Sequence, residues 1–306
     1  MNLFIPPLFA AFLCLFFSLP VRRLSFAIGA VDLPGARHIH RVPTPRAGGL
    51  ALGAAFLLSL FLFLPDLTSV GVWFAPAFLT LALGLTDDVA PLPAGWKLTA
   101  EAVIFSLFPL FGIFPRSLLL LPGVSLPLSP SASGIFTILF LLSVANAFNM
   151  IDGMDGLAAG YGLAAAGGIF CSALFRSSAD AARLSGLLTG VFAGFYPSNR
   201  HPARLFLGDS GSLCGGLLLG ASLLSLFPGE FPLLPVLGFL LLPATDLSFS
   251  VFRRLRAGKN PMTADDGHLH HRLLRQGCGY RKTVSILHLY GALGIFSACL
   301  LLLLFS

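Results

Sequence analysis

Ten long apolar runs, separated by short polar stretches, fill most of the chain, at about residues 3–20, 48–64, 70–86, 98–115, 133–149, 156–175, 184–197, 209–227, 232–250 and 284–305. A helix needs roughly 20 apolar residues to cross a bilayer core, and the seventh run, 184–197, is the shortest. None of the runs alternates apolar and polar residues as a barrel strand does. Backbone groups in lipid must bond within their own segment, so the pattern predicts an all-α, polytopic transmembrane helical bundle of about ten spans. No polar segment is long enough to fold alone; the longest is 251–283, and the chain reads as one integral membrane domain over 1–306. The stretch 116–132, with Pro115, Pro122, Pro127 and Pro130 in or beside it, reads as an apolar outer loop lying along the membrane.

Charge sets the orientation. No basic residue precedes the first run and Arg22 and Arg23 follow it, which reads as a retained anchor with its N-terminus outside. The alternate loops 21–47, 87–97, 150–155, 198–208 and 251–283 then face the cytoplasm and carry 16 of the 19 Lys and Arg. All seven His and ten of the 13 acids lie on that same half, giving it a charge of about +6 (16 − 10). The active site is therefore expected on the cytoplasmic face. A basic inner surface follows from topology alone, and it also attracts anionic membrane lipid and phosphorylated substrates; nothing points to nucleic acid.

Composition adds an exclusion. At 56% hydrophobic and 10% charged, with a mean hydropathy of +0.88, the chain lies outside the soluble range. The five cysteines are scattered without paired spacing, which argues against disulfides and a thiolate metal site.

The candidate chemistry sits in four of the inner loops. Asp87 and Asp88 close the third run; adjacent carboxylates hold a hard cation or poise a proton, and equally end a helix in solvent. Lys97 stands at the mouth of the next run, as a partner for the acids or a phosphate or as an interfacial anchor. Glu101 lies a turn deeper, where a charge is costly. Asn149-Met-Ile-Asp152-Gly-Met-Asp155-Gly is more specific: Asp152 and Asp155 share a helical face, and the glycines bring amide donors close to a phosphate at a helix start. Gly208-Asp209-Ser210-Gly211 reads as a capped helix start or a Mg²⁺ site. His268-Leu-His270-His271 offers metal ligands or phosphate donors, and the supply of Asp and Asn favours a hard, oxygen-bound ion over zinc. Asp246, inside the ninth run, is expected to pair with Arg253 or Arg254 and orient the last loop.

Together with Val31-Asp-Leu-Pro-Gly-Ala-Arg-His-Ile-His40 and Pro43-Thr-Pro-Arg46-Ala-Gly-Gly49, these stretches resemble the polyprenyl-phosphate N-acetylhexosamine-1-phosphate transferases, in the family's order. The resemblance implies transfer of a sugar 1-phosphate from a UDP-N-acetylhexosamine to undecaprenyl phosphate, with UMP released and Mg²⁺ required (Mn²⁺ as its substitute). It makes Asn149 and Asp209 the Mg²⁺ ligands and Asp87 and Asp88 neighbours of the reacting phosphates, Asp87 orienting or deprotonating the acceptor. It turns Asp152 and Asp155 toward the nucleotide and gives His268, His270 and His271 the pyrophosphate or acceptor. His40 and Arg46 match a basic loop nearby, with Lys97 in the substrate-binding set. Arg46 and the His268–Arg272 stretch resemble the branch that uses UDP-GlcNAc, in the inner membrane of bacteria; Asp266, after Asp265, departs from the basic residue the family often has there. Phospho-MurNAc-pentapeptide transfer remains as an alternative, as do a transporter of anionic sugars or lipids and a lipid-pyrophosphate phosphohydrolase. A homodimer is left open.

Overall fold

The computed structural model describes residues 3–32, 43–64, 67–260 and 267–304. His40, Asp265 and Asp266 lie outside the described residues. Every apolar run falls on helix. In chain order the elements are α1 (Ile5–Ala27), β1 (Val31–Asp32), β2 (Thr44–Pro45), α2 (Gly48–Phe63), α3 (Leu67–Val89), α4 (Ala94–Phe105) and α5 (Leu107–Leu110). There follow β3 (Ser117–Leu121), β4 (Val124–Pro127), α6 (Pro130–Met150), α7 (Leu157–Phe175), α8 (Ala179–Asn199) and α9 (Gly208–Leu226). The chain ends with β5 (Glu230–Pro232), α10 (Leu233–Phe239), α11 (Leu241–Arg256), α12 (Leu269–Arg275) and α13 (Tyr280–Leu302).

Among the described residues, six helices are long and apolar enough to cross a membrane: α1, α3 from Val70 onward, α6, α7, α9 and α13. The bent pair α10–α11 makes a seventh if counted as one span. The other runs fall short for local reasons. Helix α2 has 16 residues, α4 has 12 before the chain turns into α5, and α8 carries Asp180 and Arg183.

Helix α9 is the central column, packed against α2, α3, α6, α7 and α8. Almost every residue from Ser210 to Leu226 is buried, while α1 and α13 expose stripes such as Leu8, Phe12, Phe16 and Leu289, Leu293, Phe296. Packing is closest where glycine faces backbone. On α8, a Cβ at Gly190 or Gly194 would lie 2.1 Å from the carbonyl oxygen of Pro7 or Ala11 on α1. A larger residue there would force the two helices apart.

Two expectations are corrected. The 116–132 stretch is a β-hairpin rather than a plain loop: β3 pairs antiparallel with β4 and parallel with β5, while β1 and β2 form a second small sheet. The helical bundle therefore carries strands at both ends. The run 232–250 is also not one straight helix, because α10 and α11 meet at 91°. The apolar signal fails beyond the bend, where α11 buries Asp246, Ser250 and Arg254 on one side and exposes Phe249, Phe252 and Leu255 on the other.

Candidate active site

The C-termini of α3, α6 and α8 and the N-termini of α2, α4, α7 and α9 meet at one end of the bundle. Glycine allows the approach. A Cβ at Gly49 would lie 2.1 Å from the Gly211 amide nitrogen, and one at Gly84 would lie 2.5 Å from the Ser210 Cα. Gly208 has φ +68° and its missing Cβ faces the Arg46 carbonyl oxygen at 1.9 Å, so only glycine opens α9 in this way. The segment before α9 is held against α2: Gly48 and Gly49 donate their amides to the carbonyls of Phe206 (2.9 Å) and Leu207 (2.8 Å).

Asp88 closes this junction. It is buried and accepts the amides of Asp209 (2.8 Å) and Ser210 (3.0 Å), the Ser210 hydroxyl (2.7 Å) and the Arg46 guanidinium (3.1 and 3.2 Å). The sequence suggests that Asp209 or Ser210 caps α9, yet no side chain of the helix does so; the cap comes from α3. That takes up both carboxylate oxygens of Asp88, and the ion pair holds Arg46 at the cavity rim.

Asp87, one residue earlier, is placed differently. It accepts the Leu92 amide at 2.7 Å and the Lys97 ammonium at 3.2 Å. Lys97 also contacts Asp209 Oδ2, so it sits between the carboxylates of α3 and α9. Asn149 donates to Asp209 Oδ1 (3.1 Å) and to the Ser212 hydroxyl (2.7 Å). One turn below, Asn146 donates to Glu101 Oε2 at 2.5 Å, while the buried Oε1 of Glu101 has no partner among the described residues. Asp87, Lys97, Asn149 and Asp209 thus come together from four helices.

Asp209 opens onto a cavity of about 780 Å³ bounded also by Arg46, Asp152, Asp155, His201, Arg204, His270, His271 and Tyr280. The Asp152 carboxyl is pushed well above its ordinary range, first by burial and then by the charges of Asp209, Asp88 and Asp155. Two amides of the glycine-rich turn are already engaged within the protein. The Gly156 amide goes to Asn199 Oδ1 (3.1 Å) and the Asp155 amide to the Tyr280 hydroxyl. Gly153 instead makes room for His270, whose ring would meet a Cβ there at 2.6 Å. Asp155 accepts His201 Nδ1 (2.8 Å) and the Ala203 amide (3.0 Å), tying the 198–208 loop to the turn.

The three loop histidines stay together, with the rings of His270 and His271 at 4.2 Å and of His268 and His270 stacked at 5.7 Å. His270 is held down to about 4, chiefly by burial and then by His271 and His268, so it is neutral near pH 7. Asp246 does orient the last loop, but through other partners than the arginines expected: it accepts His268 Nδ1 and the Leu269 amide, each at 2.7 Å. His268 is thereby set back from the cavity, which His270 and His271 line.

Three cavity-side residues were not singled out by the sequence. Asn199 links Gly156 to the Leu205 carbonyl (3.1 Å), and His201 stacks on Tyr280 at 4.4 Å. Asn199 and His201 belong to a short polar loop with no repeated chemistry. Tyr280, at the start of an apolar helix, looks like an interfacial anchor.

The acid cluster fits a hard divalent cation. Its donors would be the carboxylate oxygens of Asp87 and Asp209 with the side-chain amide of Asn149 beside them; among the described residues no three His, Cys, Asp or Glu side chains group as a metal set. The electronegative seat between the carboxylates is taken up by the Lys97 ammonium.

The sequence profile of glycosyl transferase family 4 matches residues 70–227. The chain is 36% identical to a decaprenyl-phosphate N-acetylglucosaminephosphotransferase of Mycobacterium tuberculosis, over 94% of this chain and 80% of that protein. It is 30% identical to an undecaprenyl-phosphate alpha-N-acetylglucosaminyl 1-phosphate transferase of Thermotoga maritima, over 84% of this chain and 77% of that one. A protein of the same name from Escherichia coli is 28% identical, over 92% and 78% respectively.

Proposed function

The chain belongs to glycosyl transferase family 4, and from that premise we propose that it transfers N-acetylglucosamine 1-phosphate from UDP-GlcNAc to undecaprenyl phosphate, releasing UMP. The observation that carries the reading is the meeting of Asp87, Lys97, Asn149 and Asp209 beside a cavity rimmed by Arg46, Arg204 and the paired histidines. Acids that hold a cation next to bases that receive phosphate are what joining two anionic phosphates requires. The names of relatives aligned over most of the chain support the polyprenyl phosphate acceptor and the N-acetylglucosamine 1-phosphate group; the UDP donor is part of the proposal.

The reading includes ten membrane crossings with the site at the cytoplasmic surface of a bacterial membrane. The order of helix ends supports it. The site end receives the C-termini of α1, α3, α6 and α8 and the N-termini of α2, α4, α7, α9 and α13, alternating along the chain up to α9. The excess of Lys and Arg at that end supports its facing inward.

Asp209, Asn149 and Asp87 would hold Mg²⁺, which supplies charge neutralisation and polarises the phosphate being attacked. Asp209 and Asn149 fix each other across α6 and α9. Asp87 would orient the acceptor phosphate for in-line attack; that phosphate is largely ionised near neutral pH, so no essential base is needed. Asp88 acts through position, holding the α9 N-terminus and Arg46. Arg46, Arg204 and His271 receive donor phosphate charge, and neutral His270 serves as a hydrogen-bonding group.

The test uses purified protein in detergent with undecaprenyl phosphate, Mg²⁺ and UDP-sugars including UDP-GlcNAc and UDP-MurNAc-pentapeptide, following UMP and lipid product. UMP released from UDP-GlcNAc only with acceptor present supports the reading. UMP from the pentapeptide substrate alone moves the donor, and transport or hydrolysis without lipid product overturns the transferase.

A further inference from the structure

Lys97 and Glu101 stand one helical turn apart on α4, and each has an unusual setting. The ammonium of Lys97 is largely enclosed and lies between Asp87 Oδ2 and Asp209 Oδ2, the two carboxylates assigned above to a divalent cation. Both cannot occupy that seat, since a cation binding there would meet a tethered positive charge of the same sign. Glu101 is fully buried, with Oε2 fixed by Asn146 at 2.5 Å and Oε1 without a partner among the described residues. A buried carboxyl oxygen left unbonded costs free energy, and Glu101 is not among the groups that reach the cavity. Residues at i and i+4 lie on one helix face with Cβ atoms about 6 Å apart, within the swing of a lysine side chain.

We propose that Lys97 is an internal counter-ion with two seats: between Asp87 and Asp209 when the cation is absent, and on Glu101 Oε1 when the cation is bound. Glu101 is then a positioning residue that draws Lys97 away from the cation site and, through Asn146 one turn from Asn149, holds α4 against α6 as it does so. The empty enzyme keeps its acid pair partly neutralised without a metal. The loaded enzyme keeps its buried glutamate neutralised without losing the lysine to solvent. The inference rests on the cation reading given above.

The test is Mn²⁺ binding to the substrate-free protein in detergent, read by the loss of the free-ion electron paramagnetic resonance signal, with no turnover involved. Asp209→Asn serves as the control for the seat itself. Lys97→Met removes the competing charge and should tighten Mn²⁺ by about tenfold or more, the scale of one unit charge a few ångströms away. Glu101→Gln keeps the shape and the Asn146 partner but removes the charge that receives Lys97, and should weaken Mn²⁺ by about fivefold to tenfold. In the Lys97→Met background the same Glu101→Gln change should have no effect, because there is no lysine left to move. Glu101→Gln leaving Mn²⁺ affinity unchanged, or weakening it equally in both backgrounds, would overturn the two-seat arrangement while the cation site stands. Unaltered binding in Asp209→Asn would overturn the cation site and this inference with it. Thermal unfolding of each variant, at the wild-type temperature for Glu101→Gln, separates these results from misfolding.

Discussion

The site has two corners that treat their acids in opposite ways. In the acid corner, Asp87 and Asp209 face each other across a lysine. Like charges are brought together there, and a positive partner is needed to hold them. In the histidine corner each acid is matched singly: Asp246 with His268 and a backbone amide, Asp155 with His201 and a backbone amide. In the proposed reading the first corner takes a cation, while the second holds loops in place. Asp88 shows that the distinction is one of setting, since it lies beside Asp87 in sequence yet its bonds are those of the second kind.

Substitutions should separate the corners. The largest loss is expected from Asp209→Asn or Asn149→Ala, each lowering transfer by about a thousandfold or more with the folded state retained, as checked by UMP release alongside thermal unfolding. Asp88→Ala should instead cost stability, by about 3 kcal/mol, because Arg46 and two amides of α9 lose their partner; Asp87→Ala should leave unfolding nearly unchanged while abolishing transfer. If both lowered stability equally, the division between the neighbouring acids would be wrong. Gly153→Ala pushes directly on His270 and should raise the KM for the UDP-sugar several-fold, with a smaller change in kcat.

The histidine corner also predicts a pH effect. The folded-state value of His270, about 4, lies below its ordinary 6.5, so the unfolded chain takes up the proton first. Its contribution is full above about 6.5 and is lost as pH falls toward 4. His270→Gln should flatten that part of the stability profile in detergent, measured by unfolding between those limits. The smallest effect is expected at the far end of the bundle, where the exposed Glu230 in β5 should tolerate alanine with no change in transfer.

The sequence made the helices legible because each apolar run carries a signal the bilayer enforces, and all ten runs fall on helix. It made the acid corner legible because Asp87, Asn149 and Asp209 sit at run boundaries where a polar residue is conspicuous. It did not reveal which acid does what. Asp88 caps a helix 121 positions away in sequence, and such a contact leaves no local pattern. The hairpin at 117–127 was hidden for a similar reason: its strands are apolar without alternation, and β3 takes its second neighbour from residues 230–232. The bend in α10–α11 was masked by averaging, since Leu233–Pro243 is apolar enough to carry the polar stretch after it. His201 and Tyr280 became visible only when the 198–208 loop and the start of α13 were brought together.

The most direct test of the account is UMP release from UDP-GlcNAc by the purified protein, with and without undecaprenyl phosphate, in wild type and Asp209→Asn. Acceptor-dependent release by the wild type and a loss of about a thousandfold in the variant, with matched unfolding temperatures, is the predicted result. Undiminished release by a folded Asp209→Asn enzyme would contradict it.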